Sequence, residues 1–250
     1  MTIGIIGAGN LGRAFARGLG EPVLISDADA ERAQAVASEV GGTAVAGNAE
    51  LAAQADVVVL CHKPPQLEAV AAGIPEIKGG IVSFVGATPL EALRAAYPGT
   101  PMVRAMPNTA LEVGESLITV AAPDGDEAFH AQAVELLGKV GEVVVLPESQ
   151  MLLSQLSSGA MPAYIALFAE AQIDALVHSG LDAQTATKLV VGSMAGAAKV
   201  VAAAEGDTLG VRRAVTSPGG TTAKVLARLE ASGLRSAFSE AIDAIARPAP

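Results

Sequence analysis

The chain has 250 residues, 51% of them hydrophobic and 17% charged, which supplies a sizeable core and excludes a disordered polypeptide. A formal net charge of −10 repels nucleic acid and anionic membrane surfaces and leaves a small molecule as the expected partner. The single cysteine, Cys61, excludes an internal disulfide, and no Cys or His cluster has metal-ligand spacing, so the sequence indicates neither secretion nor a metal site.

From the start to Leu146, short β-branched runs alternate with helical patterns. Strands are expected at Ile3–Ile6, Val23–Ser26, Val57–Cys61, Ile81–Val85, Met102–Arg104, Leu117–Ala121 and Val143–Leu146. This alternation predicts a doubly wound α/β sheet. The first run and the one at Val57 lack apolar/polar alternation, as central parallel strands covered on both faces should. After Pro147 the strand pattern stops. Helical spacing of Ala, Leu and Val then runs through Met151–Ser157, Pro162–His178, Ala183–Ala204, Thr222–Ser232 and Leu234–Arg247. Pro162 suits a first helical position, Gly180, Gly206 and Gly233 suit C-terminal caps, and the final Arg-Pro-Ala-Pro reads as a frayed tail.

The expected organisation is a Rossmann-type dinucleotide-binding domain over 1–148 and an all-helical domain over 149–250. Val190–Ala204 is apolar nearly all round, and about five short helices offer it too little cover, so a partner subunit is expected to bury it. The N-terminus has no basic leader and no stretch reads as a membrane span, so a soluble, cytoplasmic protein is the expectation.

Gly7-Ala8-Gly9-Asn10-Leu11-Gly12 follows the first strand directly and opens a helix. In a dinucleotide-binding turn, Gly7 permits the tight bend, Gly9 lets a pyrophosphate approach the backbone, and Gly12 lets the helix pack on the strand. The exposed N–H groups and the helix dipole then favour the anion. Asp27, about 20 positions further on at the end of the second strand, suits the adenosine ribose hydroxyls and repels a 2′-phosphate. The same residue, or Asp29, equally suits the cap of the helix near Ala30, and Ser26 and Arg32 leave room for a phosphate. NADH and NADPH therefore both stay open. Lys63-Pro64 leaves the strongest central strand at its carboxyl end, where cofactors bind, and Asn108 in Arg104–Thr109 suits either a nicotinamide amide or a Pro-Asn turn.

Thr216-Ser217-Pro218-Gly219-Gly220-Thr221-Thr222 precedes an amphipathic helix, an arrangement of N–H donors with room for a carboxylate. This stretch resembles the signature of the pyrroline-5-carboxylate reductases. The Gly-Ala-Gly-Asn opening, Lys63-Pro64, Arg104–Thr109, Pro162-Ala163-Tyr164 and Ala198–Val201 follow the family's order across nearly the whole chain. The resemblance implies a Rossmann domain, a helical dimerisation domain, and reduction of 1-pyrroline-5-carboxylate to L-proline by NADH or NADPH. It also implies dimers that assemble further into decamers, with the substrate loop completing an active site at the subunit interface. By position, Ser217, Gly219, Gly220 and Thr221 form the substrate loop, Thr222 contacts the amine, and Lys63, Pro64 and Asn108 line the cofactor. The chain departs from the family at Cys61-His62, at Ala160-Met161, at Val85-Gly86-Ala87 where Ala-Ala-Gly is more usual, and at Arg213 where an acid is common.

An iminium is already electrophilic, so such a reaction needs positioning more than a dedicated acid, and Thr222 is the expected residue at the imine nitrogen. His130 and His178 read as structural; His62 adjoins the cofactor edge. Two other readings use the same residues: a related imine or β-hydroxyacid oxidoreductase, and a non-catalytic dinucleotide-binding protein.

Overall fold

The structure, a computed structural model, describes residues 1–247. The tail expected to fray lies, from Pro248 onward, outside the described residues. The chain divides by its internal contacts into two compact units, Met1–Pro162 and Ala163–Pro250.

The first unit alternates strand and helix: β1 (Ile3–Ile6), α1 (Asn10–Leu19), β2 (Leu24–Ser26), α2 (Ala30–Val40), β3 (Thr43–Ala44), α3 (Asn48–Gln54), β4 (Val57–Leu60), α4 (Leu67–Ala72), β5 (Gly80–Ser83), α5 (Leu90–Ala96), β6 (Met102–Met106), β7 (Ser116–Ala121), α6 (Glu127–Gly138) and β8 (Gly141–Leu146). The strands form one sheet in the order β3-β2-β1-β4-β5-β6-β7-β8. All neighbours are parallel except β6 and β7. Strand order reverses between β1 and β4, and ligands of open parallel sheets sit outside the carboxyl ends of the strands at such a switch.

The pattern of consecutive apolar residues has its cause in the two covered faces. Ile3, Ile5, Val57 and Val59 pack in one cluster with Phe15 of α1, while Ile6, Val58 and Leu60 pack in another with Leu51 of α3. Edge-on packing of Phe15 against Phe84, with ring centroids 5.3 Å apart, holds α1 against the end of β5 and so seats the glycine turn.

Two elements of the structure were not expected from the sequence. β3 is only two residues long, too short for a periodic pattern, and α10 (Thr208–Ala214) below is a short, arginine-bearing helix. After β8, the chain forms α7 (Met151–Ser154) and then a single π turn, Gln155–Gly159, where one uninterrupted α-helix over Met151–Ser157 was expected. This segment packs on the sheet: Met151 is fully buried beside Met106 and Ala121, and Ser154 shares a hydrogen bond with Thr119. That packing carries the contact boundary past 148 to 162.

The second unit takes up α8 (Met161–His178), which begins one residue before Pro162, from Ala163 onward, and then contains α9 (Ala183–Ala203), α10, α11 (Thr221–Ala231) and α12 (Leu234–Ala246). Gly180, Gly206 and Gly233 adopt positive φ values of +107°, +81° and +83° after their helices. Phe238 packs on Tyr164 and Phe168 at 6.1 and 5.8 Å, joining α12 to α8. Burial within one chain is slight, since α9 buries only Ala186 and Val190 and α8, α10, α11 and α12 bury no residue fully. By length and composition alone, two helical stretches, Glu148–His178 and Ala183–Ala203, are apolar enough to cross a membrane, each with mean hydropathy 1.3. Alanine-rich helices that pack against protein meet the same criterion, which is why reading the sequence for charge-free runs did not single them out.

Candidate active site and cofactor cleft

The glycine turn and the loops after β2, β3 and β4 enclose a cleft of about 640 Å³. Gly7, Gly9, Asp27, Arg32, Asn48, His62 and Lys63 are among its walls. Gly7 has φ +106°, which a side chain tolerates poorly, and a Cβ there would lie 2.8 Å from the Cys61 carbonyl carbon. At Gly12 an added Cβ would stand 2.0 Å from the Gly7 oxygen, so only hydrogen fits between α1 and the turn. By contrast, the space beside Gly9 is open to 4 Å. Gly9 begins α1 with no side-chain cap, leaving first-turn N–H groups to face an incoming anion. Asn10 faces an adjoining pocket with Arg13 and Arg32, whereas the Leu11 side chain turns back onto the core.

Asp29, not Asp27, caps α2, accepting from the Arg32 N–H at 3.1 Å. Asp27 bridges the loops: its Oδ2 accepts from the Ala8 N–H at 2.7 Å and its Oδ1 from the Asp29 N–H at 2.9 Å. Arg32 lies 3.0 Å from Asp29 and 3.7 Å from Asp27. The Arg32 guanidinium thus sits at the wall between the cleft and the neighbouring pocket, beside both carboxylates. Ser26 is buried and donates to Asn48 Oδ1 at 2.7 Å, tying the loop after β3 to β2. Sequence reasoning missed Asn48 because β3 was invisible to it; the Gly47-Asn48 pair ahead of a helical run was the available signal.

At the end of β4, Lys63 begins a 3-10 turn over Pro64–Gln66, and its N–H donates to Gln66 Oε1 at 2.9 Å. Pro64 stands inside that turn, where its missing N–H costs nothing. His62 Nδ1 lies 3.0 Å from the Lys63 carbonyl oxygen, which only accepts, so the ring proton belongs on Nδ1. Nε2 is buried without a partner, and desolvation holds the imidazole below its ordinary range, partly offset by the Lys63 carbonyl. Burial pushes the Cys61 thiol upward.

Asn108 does not reach this cleft. It is buried, caps the turn Thr109–Val113 by accepting from the Ala110 N–H at 2.9 Å, and donates from Nδ2 to the Ser158 carbonyl at 2.9 Å. These contacts make Asn108 a cap and a latch for the loop after β6. Arg104 is likewise internal: its guanidinium pairs with Glu148, whose Oε1 also accepts from the Leu90 N–H at 3.0 Å. His130 Nε2 donates to the Ala121 carbonyl at 2.9 Å, a local structural contact.

In the second unit, Ser217–Gly220 forms an exposed turn in which the Gly220 N–H donates to the Ser217 carbonyl at 3.0 Å. Gly219 has φ +70°, and Gly220 precedes the first turn of α11 without a side-chain cap. Thr221 and Thr222 are the first two residues of α11. The array is a helix N-terminus with uncapped donors. Arg212 and Arg213 lie in the last turn of α10 just upstream.

Comparison with known proteins agrees with this geometry. A family model described as pyrroline-5-carboxylate reductase dimerisation matches residues 148–249, and one described as NADP oxidoreductase coenzyme F420-dependent matches residues 2–84. A pyrroline-5-carboxylate reductase of Corynebacterium melassecola is 35% identical, over 98% of this chain and 96% of that one. The solved 1-pyrroline-5-carboxylate reductase of Streptococcus pyogenes superposes with a TM-score of 0.88 at 28% identity, covering 97% of this chain and 95% of that one. A Plasmodium falciparum pyrroline carboxylate reductase, solved with NADP bound, shares the fold at 23% identity, with a TM-score of 0.86 over 98% of this chain and 95% of its own. The dimerisation match also accounts for the exposed apolar helices, as parts of a homo-oligomer. The chain belongs to the pyrroline-5-carboxylate reductase family and is an NAD(P)H-dependent oxidoreductase that acts on a C=N bond.

Proposed function

We propose that the cleft beside Gly7–Gly12 holds NAD(P)H and that the Ser217–Thr222 turn receives the carboxylate of 1-pyrroline-5-carboxylate, which the enzyme reduces to L-proline. The observation that carries this assignment is the open space at Gly9, set between an uncapped helix start and the Asp27 wall. The backbone around Gly9, Asn10, Leu11 and Gly12 takes the pyrophosphate. Asp27 and Arg32 flank the adenosine end, where the carboxylate favours ribose hydroxyls and the guanidinium favours a 2′-phosphate. Lys63 and Pro64 shape the exit of β4 alongside the cofactor. Asn108, in the loop after β6, lines the nicotinamide end and also shapes that loop as a cap.

When bound, the nicotinamide supplies the hydride that forms the new C–H bond at the imine carbon, while a proton joins the nitrogen. The chain's own contribution is placement. Ser217, Gly219, Gly220 and Thr221 hold the carboxylate through N–H and hydroxyl donors, and the Thr222 hydroxyl orients the ring nitrogen. Fixing the two reactants in register is worth up to about 7–11 kcal/mol in favourable cases, so no dedicated acid is required. The homo-oligomer is proposed to be a dimer formed through α9 and its neighbours, able to assemble further into a decamer, in the cytoplasm and free of membrane.

The direct test is oxidation of NADH and NADPH, measured spectrophotometrically in parallel with synthetic 1-pyrroline-5-carboxylate. Oxidation with at least one coenzyme and proline as product is expected. Tight coenzyme binding without turnover would favour a non-catalytic dinucleotide binder.

A further inference from the structure

Two uncommon backbone features meet at the carboxyl end of the sheet. One is Ala87, in the loop after β5, which adopts φ +52° although it is not glycine. The other is the π turn Gln155–Gly159, the extra residue in an otherwise helical run. A single hydrogen bond joins them: the Ala87 N–H donates to Gln155 Oε1 at 3.1 Å. Because the donor is a backbone N–H, the amide of Gln155 is oriented with its oxygen toward Ala87. Left-handed backbone at a side-chain-bearing residue persists only where its surroundings hold it, and π turns in helices concentrate at functional sites.

The same π turn reaches a second loop. Its Ser158 carbonyl accepts from Asn108 Nδ2 at 2.9 Å, and the Ser158 hydroxyl donates to the Leu117 carbonyl at 2.8 Å. The segment therefore grips the loop that follows β5, the neighbour of β4 in the sheet, and the loop that follows β6. A dinucleotide that places its adenosine beside Asp27 and its pyrophosphate at Gly9 extends its nicotinamide toward these strand ends, across the switch point. These loops are consequently the walls nearest the reacting carbon, and Gln155 holds the one after β5.

We propose that Gln155 is a positioning residue for hydride transfer: it clamps Ala87 in the left-handed conformation and so sets the loop after β5 against the nicotinamide half of the cofactor. The inference rests on the cofactor placement proposed above, and it concerns the nicotinamide end alone. Removing the clamp lets Ala87 relax toward negative φ and shifts the loop, whereas the adenosine end, built by β1, β2 and α1, keeps its geometry. Loss of Gln155 is therefore expected in kcat and not in affinity for the adenosine half.

The experiment compares wild type, Gln155→Leu, Gln155→Glu and the double variant Gln155→Leu with Ala87→Gly. Leucine keeps the bulk and removes the acceptor; glutamate keeps the acceptor; glycine occupies φ +52° without a side chain to resist it. Gln155→Leu should lower kcat by about 2- to 13-fold, the range for one lost hydrogen bond. The dissociation constant of ADP-ribose, which lacks the nicotinamide, should remain that of wild type. Gln155→Glu should retain most of the rate, and Ala87→Gly in the leucine background should recover part of it. Unchanged kcat in Gln155→Leu overturns the proposal. A loss of kcat accompanied by weaker ADP-ribose binding, with no rescue by glutamate, also overturns it, since that is the pattern of general destabilisation. Wild-type enzyme that binds ADP-ribose no more tightly than an Asp27→Ala variant would instead remove the underlying cofactor placement.

Discussion

The two units of this chain use apolar residues for opposite purposes. In the sheet unit, Ile5, Val57, Val58, Val59 and Leu60 are fully enclosed by helices of the same chain. In the helical unit, Leu167, Val191, Val200 and Val225 each expose more than half of their surface, at 66%, 53%, 56% and 52%. The first unit thus carries a self-sufficient core; the second presents the face of an oligomer. Two proteins with the same apolar fraction can differ in whether the partner of each apolar face lies within the chain or in another copy of it.

The largest expected effect comes from breaking that face. Ala197→Asp puts a charge on the exposed side of α9, where a partner must desolvate it, and should abolish the oligomer and cause aggregation or unfolding of the helical unit. Light scattering at micromolar concentration checks this, and a stable, active monomer would refute it. Next in size, Gly220→Val inserts a branched side chain where a Cβ would already lie 3.2 Å from the Ser217 carbonyl oxygen. Turnover of pyrroline-5-carboxylate should collapse while coenzyme affinity, a property of the other unit, survives. In the milder companion variant Thr222→Val, kcat/KM should fall by about 2- to 13-fold if the hydroxyl only orients the ring. A far larger fall in kcat would assign Thr222 a role in proton delivery, and wild-type rates in both variants would remove the turn from the substrate site.

In the sheet unit the expected effects are smaller. The wild type should use NADH at least as well as NADPH, because in the proposed cofactor placement the Asp27 carboxylate stands beside a 2′-phosphate, and Asp27→Ser should shift the ratio toward NADPH. A native preference for NADPH of about tenfold, or 1.4 kcal/mol, would show that Arg32 outweighs the carboxylate. Asp27→Ser also removes the acceptor of the Ala8 N–H, so some loss of melting temperature is expected with it.

The smallest effect concerns pH. Burial lowers the His62 pKa from its ordinary 6.5 in the folded chain, so the unfolded chain binds this proton more readily. Stability is then undiminished above about pH 6.5 and falls as the pH drops through the lowered folded value. Replacing His62 by leucine should flatten the melting temperature profile below about pH 6.5; identical profiles would exclude the ring as a contributor.

Much of the architecture was legible from pattern. Strands at Ile3, Val57 and Ile81 announced themselves because both faces of a central parallel strand must be apolar, and the glycines at 7, 9 and 12 did so because each meets a distinct steric demand. β3 and α10 were not legible, since two residues and seven residues respectively are too few for a period to emerge. The position of Asn108 was ambiguous for a different reason. Its amide suits a ligand and a turn equally, and the turn contacts, with the Ala110 N–H and the Ser158 carbonyl, emerge only in the structure. Ala87 shows the converse: its φ of +52°, a conformation that favours glycine, became visible only in the structure.

The sequence by itself determined the family, the doubly wound sheet and the helical second half, because periodicity and glycine placement are local properties. Tertiary structure alone decided which side chains meet across distance: Asp27 with the Ala8 N–H, Ser26 with Asn48, Arg104 with Glu148, and Gln155 with Ala87. These pairs join residues far apart in the chain, and their hydrogen bonds depend on distances and directions that emerge only when the sheet and its loops have packed.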